Sequence, residues 1–345
     1  MGSAYADEVE GDVSISTDNN NRQDFNENDA SLTITDSATL TRDGQFAIDI
    51  KNFNNATVTV NPGSTVTSRS HNTILGREQS GLTVTNSGTI NAGGSKAINL
   101  LDAQNSTITN NAGGIIKSAT NTITVTETSG KTANNVTINN SGEIYAYSTD
   151  PEADSAAIKS ENDTDNITII NNSGGYIHSS NGNSEVIPGS TVFISSVSNA
   201  TLTNSGTIEN KAGTDAYVLG VAGSGVTVTL KDKGKVIGKI KVTGSGHTIK
   251  LQHGAGQGYF YETEGDGTYD LEDLDGNPVV KGSAGSIGQA GNEMLDETLS
   301  YKSLNIRKSL TRFKKSEEYL NQNEAWGELF TSFHKRKEKH LEAWQ

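Results

Sequence analysis

The sequence predicts an all-β fold, a parallel β-helix with three short strands in each coil. Three observations carry that expectation: a motif that recurs at a near-constant interval, period-two alternation inside each copy, and turn residues held in phase with both. The clearest copy is Asn199-Ala200-Thr201-Leu202-Thr203-Asn204-Ser205-Gly206-Thr207-Ile208. It reads as an alternating strand, a tight polar turn and the start of a second strand. Close copies begin at Gly81, Asn135 and Asn166, and weaker ones at Ser31, Asn55, Asn105 and Gly225. Subtraction of successive starts gives steps of 24, 26, 24, 30, 31, 33 and 26 residues. Self-similarity at that period marks a solenoid, in which a unit buries its apolar face only against its neighbours.

The first strand of each copy alternates Leu82 and Val84, Val136 and Ile138, Ile167 and Ile169, Val226 and Val228 with threonines such as Thr83, Thr137, Thr168 and Thr227. β-Branched residues at period two predict a strand with one buried face and a wet threonine face. Five residues after the start, in the copies beginning at 81, 105, 135, 166 and 199, stands an asparagine: Asn86, Asn110, Asn140, Asn171 or Asn204. It shares the parity of the apolar pair, so stacked copies place these side chains inside, in a ladder at one corner. The starts themselves are mostly Asn or Gly, the residues that best tolerate a left-handed backbone, and so predict a second corner. The same left-handed reading extends to Gly88, Gly142 and Gly206 in the Asn-Ser-Gly turn. A third strand per coil falls in Phe46–Ile50, Ala97–Leu101, Asn121–Val125, Thr191–Ile194 and Ala216–Val221. About eight coils result, standing roughly 35–40 Å tall at ~4.8 Å each.

Composition agrees. Apolar residues make up 32% of the 345, too few for an ordinary globular core but enough for the thin core of a coil. A disordered polar chain would not keep its alternation phased with its turns across eight copies. The absence of cysteine excludes disulfides, thiolate metal sites and a thiol nucleophile. No run of 18 apolar residues predicts a transmembrane helix. The net charge of −14 is uneven: residues from 292 onward hold 10 Lys/Arg against 9 Asp/Glu, leaving 17 against 32, or −15, on residues 1–291. Such a body is a poor partner for nucleic acid or an anionic lipid surface.

Five segments follow. Residues 1–30 form a lead-in or cap that lacks alternation; within them Ala4-Tyr5-Ala6 has the small-residue pattern of the end of a secretory signal. Residues 31–243 are the β-helix. Its last coil carries Lys231, Lys233, Lys235, Lys239 and Lys241, which blunt a terminal edge or, on a sharper reading, form a polyanion-binding stripe. Residues 244–291 break the repeat and form a C-terminal cap. There Tyr259-Phe260-Tyr261 can close the open end, and a hairpin is expected around Asp275-Gly276-Asn277-Pro278. Asp270, Asp273 and Asp275 fail as a calcium loop, because its first and last ligand positions are Leu271 and Gly282. Residues 292–322 are a helix capped by Asn292, with an apolar stripe of Leu295, Leu299, Ile306, Leu310, Phe313 and Leu320. Residues 323–345 hold one strand-like run, Ala325–Phe333.

This order of parts, the Asn-Ser-Gly-Thr-Ile coils, the Asp275–Pro278 hairpin, the long helix and then Trp326-Gly327-Glu328-Leu329-Phe330, resembles a classical monomeric autotransporter. The resemblance implies a secreted, right-handed β-helical passenger, an autochaperone-like cap, a helix threading an outer-membrane barrel, and export through periplasm and outer membrane to the cell surface or beyond. The implied partners are the protein's own barrel, other passenger copies, and a host surface protein or glycan. Residues 323–345 would be a truncated first barrel strand, since a pore needs at least about eight. Leu304-Asn305-Ile306-Arg307 is similar to the pore-helix segment in which some members cleave themselves, with Asn305 as the matching residue.

No catalytic set emerges. The coils present Thr, Ser and Asn where pectin-cleaving helices need clustered acids, and Gly282-Ser283-Ala284-Gly285 lacks the Asp of a serine-protease motif. His71, His178, His247 and His253 are expected as scattered loop or surface histidines. The chain is therefore read as a binding protein, an adhesin or self-associating passenger needing no cofactor or metal. Alternatives are a shed passenger that acts as a host-receptor ligand and, third, a polysaccharide-active enzyme.

Overall fold

In the computed structural model the described residues are 6–128, 131–148, 155–180, 189–280, 284–286, 299–300, 303–304 and 306–307. The chain divides into two units, Met1–Gly288 and Gln289–Gln345. The first is a parallel β-helix. Each coil lays one strand on each of three faces, as in Thr83–Asn86, Thr89–Ala92 and Ile98–Leu101. The first face holds eleven strands, from Asp12–Ile15 to Tyr269–Asp273, and the third holds eleven, from Ala6–Val9 to Thr263–Glu264. The second holds eight, from Thr39–Arg42 to Lys235–Ile237.

Alternation sets the register. Val58, Val84, Ile108, Ile138, Ile169, Leu202 and Val228 lie opposite one another on successive first-face strands, each at most 1% exposed. Leu40, Val66, Ile90, Ile116, Ile144, Ile177 and Ile208 repeat this on the second face. A one-residue slip would turn every such side chain to solvent, so the stacks fix the pairing.

The corner between the first and second faces is an asparagine ladder. Asn86 Nδ2 donates to Asn110 Oδ1 (2.8 Å), Asn110 to Asn140 (2.9 Å), Asn140 to Asn171 (2.9 Å) and Asn171 to Asn204 (2.8 Å). All five are fully buried. The ladder has a direction, every amide donating toward the C-terminus. It ends where its register partners become apolar. Val60 precedes Asn86, whose Oδ1 has no partner, and Leu230 follows Asn204, whose Nδ2 turns to the Lys235 carbonyl (3.0 Å).

The corner between the third and first faces is left-handed, with φ of 58° at Asn55, 49° at Asn105, 53° at Asn135, 50° at Asn166 and 55° at Asn199. The left-handed reading fails at the Asn-Ser-Gly turn. Gly88, Gly142 and Gly206 have no positive φ; what they supply is space. A Cβ at Gly142 would lie 2.5 Å from the Asn111 carbonyl oxygen and closer still to that of Gly114. The ladder draws consecutive coils so near at this turn that only hydrogen fits.

The stack outruns the repeat at both ends. In the lead-in, Ala6–Val9, Asp12–Ile15 and Arg22–Phe25 are stacked strands, with Val9, Ile15 and Phe25 buried. Acidic and polar residues at their outward positions hide the alternation. Beyond residue 243, His247–Gln252 and Tyr269–Asp273 continue the first face, with Leu271 opposite Ile249. Eleven strands are ten steps, about 48 Å. The expected hairpin does not form. Tyr269–Asp273 pairs in parallel with the coil before it, whereas Val279–Val280 pairs antiparallel with Ala284–Ser286 in a small sheet completed by Tyr259–Tyr261. Gly276 (φ 80°) does turn the chain, between two different sheets. In that small sheet Tyr261 packs into the core and Phe260 stays 66% exposed.

In the second unit, residues 299–300, 303–304 and 306–307 are helical and exposed. Leu295, Leu310, Phe313, Leu320, Asn305 and the whole of 323–345 lie outside the described residues.

Candidate functional site

The outward positions of the second face are monotonous over the first three coils. One row reads Thr41, Thr67, Asn91 and the row beside it Thr39, Thr65, Thr89. Over the next four coils the same rows become Lys117, Tyr145, His178, Glu209 and Ile115, Glu143, Tyr176, Thr207. Parallel, in-register stacking converts four sequence-distant tripeptides into one patch.

Its geometry is closely determined. The rings of Tyr145 and His178 stack at 4.6 Å and 9°, and Tyr176 leans over His178 at 4.3 Å. Tyr147, two residues beyond Tyr145, is 38% exposed and donates to the Ala92 carbonyl (3.1 Å). His178 Nε2 lies 2.8 Å from Glu143 Oε1. A carboxylate only accepts, so Nε2 carries the proton and Nδ1 is left as a buried acceptor with no partner. Lys211 Nζ approaches the same Nε2 at 3.4 Å and sits 5.1 Å over the Tyr176 ring. It is therefore a charge near the ring cluster and forms no hydrogen bond to an Nε2 that already donates. Tyr176 donates its hydroxyl to Glu209 Oε2.

Burial sets the protonation of this group. The His178 side chain is 5% exposed, and its pKa is lowered by that burial above all, assisted by Lys211 and opposed by Glu143 and Glu209. Burial, then the hydrogen bond to Glu209, pushes the Tyr176 phenol well up. A neutral imidazole and the neutral Tyr176 phenol thus lie beside Glu143, Glu209 and Lys211.

The residues singled out from sequence fall elsewhere. The five lysines of the last coil do not make a stripe, because the corners distribute them over different faces. Lys231 ends a first-face strand, Lys235 begins a second-face strand, Lys233 lies in the turn between, and Lys239 and Lys241 lie on the third face. Lys239 is paired with Glu264 (2.7 Å), Glu262 (3.1 Å) and Asp215 (3.7 Å), and the hydrogen bonds to Glu264 and then Glu262 raise its pKa. Lys241 bonds the Tyr217 hydroxyl (2.9 Å) and covers that ring.

Two histidines are buried where surface positions were expected. His178 belongs to the patch. His247, 2% exposed, accepts from the Val226 amide through Nδ1 (3.2 Å) and faces the Thr243 carbonyl through Nε2 (2.9 Å), a structural bridge between coils. His253 is half-buried against Tyr259, 3.7 Å between centroids, and among the described histidines only His71 is an exposed loop residue. Asp273 and Asp275 cap backbone amides: Asp273 Oδ1 accepts from Asp275 and Asn277, and Asp275 Oδ2 from Gly254.

Sequence reading missed the patch itself. The signal was present: aligning Glu143-Ile144-Tyr145, Tyr176-Ile177-His178 and Thr207-Ile208-Glu209 on their central isoleucines brings the six outward residues together. No family model and no curated protein matches this chain.

Proposed function

We propose that this chain is the passenger of an autotransporter-like surface protein, and that it is a binding rod whose working surface is the second face between residues 115 and 211. The observation that carries the reading is the break in that face. Threonine and asparagine give way to Tyr145, Tyr147, Tyr176 and His178, ringed by Glu143, Glu209, Lys117 and Lys211. A regular ladder needs no such residues for its stability, since threonine serves the same outward positions in the coils before. Aromatic side chains with polar handles are the usual anchors of recognition surfaces.

The autotransporter part rests on the sequence resemblance and on the β-helix that the resemblance implies. Beads coated with the purified chain should adhere to host cells, or to one another, and the triple variant Tyr145→Thr, Tyr147→Thr, Tyr176→Thr should lose most of that adhesion while keeping its strand spectrum. Adhesion that is absent, or equal in the triple variant, would sink the reading.

A further inference from the structure

On the reading that the patch is the binding surface, we infer that its ligand is a neutral, linear glycan laid along the stack of coils, across Tyr145, Tyr147 and Tyr176. Charge is the first argument. Two carboxylates, Glu143 and Glu209, face two ammonium groups, Lys117 and Lys211, so the patch is neutral within a chain of net charge −14. A polyanion would meet no excess of positive charge there, and a polycation no excess of negative charge.

The kind of surface is the second argument. A protein interface centres on large side chains that become fully desolvated. Among the described residues the exposed large hydrophobics are Tyr147, Phe260, Leu274, Val279, Leu299, Leu304 and Ile306, and of these only Tyr147 lies on this face. The patch offers partly exposed tyrosine rings and hydrogen-bonding groups. Glu143 and Glu209 are each fixed through one oxygen, by His178 and Tyr176, leaving the other oxygen as an oriented acceptor. A sugar chain presents the complement, hydroxyl donors around a ring whose C–H face packs on aromatic groups. A separate mark of incompleteness is His178 Nδ1, buried with no donor among the described residues.

Linearity comes from the scaffold. The two rows continue toward the N-terminus as Asn91, Thr67, Thr41 and Thr89, Thr65, Thr39, one residue per coil. They repeat at about 4.8 Å, a hydroxyl or amide at each step. A polymer running along that track meets equivalent groups at each coil, which a single sugar would not.

The test is a glycan array and calorimetric titration with the full chain, using cello-, chito- and manno-hexaoses as neutral probes and a heparin hexasaccharide as the anionic one. At least one neutral class is expected to bind, insensitive to added salt, and Tyr145→Ala or Tyr176→Ala should each weaken it about tenfold. Tyr147→Ala, at an exposed ring, provides a variant that leaves the stack intact and should weaken binding severalfold. Retention of heparin alone, of no probe, or of neutral probes equally by all three variants would overturn the inference. Should the beads described above adhere through the tyrosines while every glycan fails, the binding face stands and its ligand is a protein. Should adhesion itself fail, the binding face falls too.

Discussion

Gly206→Ala is expected to unfasten the coil at its first corner and cost more than about 4 kcal/mol, beyond what most single substitutions do. The added Cβ would stand 2.5 Å from the Asn172 carbonyl oxygen, nearer still to that of Gly175, and 2.7 Å from Asn171 Nδ2. Two of those three neighbours are backbone, already committed to the stack. Thr207 and Ser205 donate their amides to the Gly175 and Asn171 carbonyls, so the turn cannot retreat without breaking strand pairing. Gly113→Ala is the control. It stands at φ 84° with open space around its Cβ, and should cost only the left-handed strain, about 1 kcal/mol. Urea melts of the two variants check the contrast. Equal costs would mean that the Asn-Ser-Gly glycines are there for backbone freedom and not for room.

Asn140→Ala should destabilise the chain by about 3 kcal/mol. Asn140 sits mid-ladder, accepting from Asn110 and donating to Asn171. Its removal strands the Asn171 Oδ1 acceptor in a site with no access to water, and an unpaired buried polar group costs roughly 1–3 kcal/mol. The lost side chain also leaves a void that a stack paired on both sides cannot close. Asn110 Nδ2 loses less, since it keeps the Gly114 and Glu143 carbonyls at 3.1 and 3.2 Å. Asn86→Ala should cost less, because the Asn86 Oδ1 already lacks a partner. Thermal melts of the two variants compare them, and a terminal loss as large as the central one would contradict a cooperative ladder.

Much of this architecture is legible from residues alone, for a physical reason. In a solenoid each coil faces nearly the same environment, so one pattern, Leu82/Val84 inward with Asn86 at the corner, is written again at Val136/Ile138 with Asn140. Repetition averages away the noise that makes a single short strand ambiguous. Legibility fails where outward residues stop being threonine. In Arg22-Gln23-Asp24-Phe25 the inward Gln23 is polar, though 1% exposed, and the alternation is masked. The hairpin signal at Asp275–Pro278 was real as a turn, yet local turn chemistry does not decide which strand a neighbour pairs with. Leu271 paired with its coil because Ile249 offered an apolar stack. The candidate site was hidden for the opposite reason. Its hydrogen-bonded pairs lie 33 and 35 residues apart, Tyr176 with Glu209 and His178 with Glu143, and become neighbours only through the register. A histidine with no nearby partner in sequence reads as a surface residue until the fold supplies two rings and a carboxylate around it.

The register of the stack is the claim on which ladder, core and binding face all depend, and the absence of native cysteine allows it to be read with thiols. Thr83 and Thr107 are outward register partners on adjacent coils, while Thr137 is the next along the same row. Adjacent partners stand about 4.8 Å apart and those two coils apart about 9.6 Å, against a disulfide reach of roughly 4.4–6.8 Å between Cα atoms. Under mild oxidation Thr83→Cys with Thr107→Cys should close a disulfide nearly completely, whereas Thr83→Cys with Thr137→Cys should stay reduced. Closure of the second pair in preference to the first, or of neither, would contradict the stacked coil.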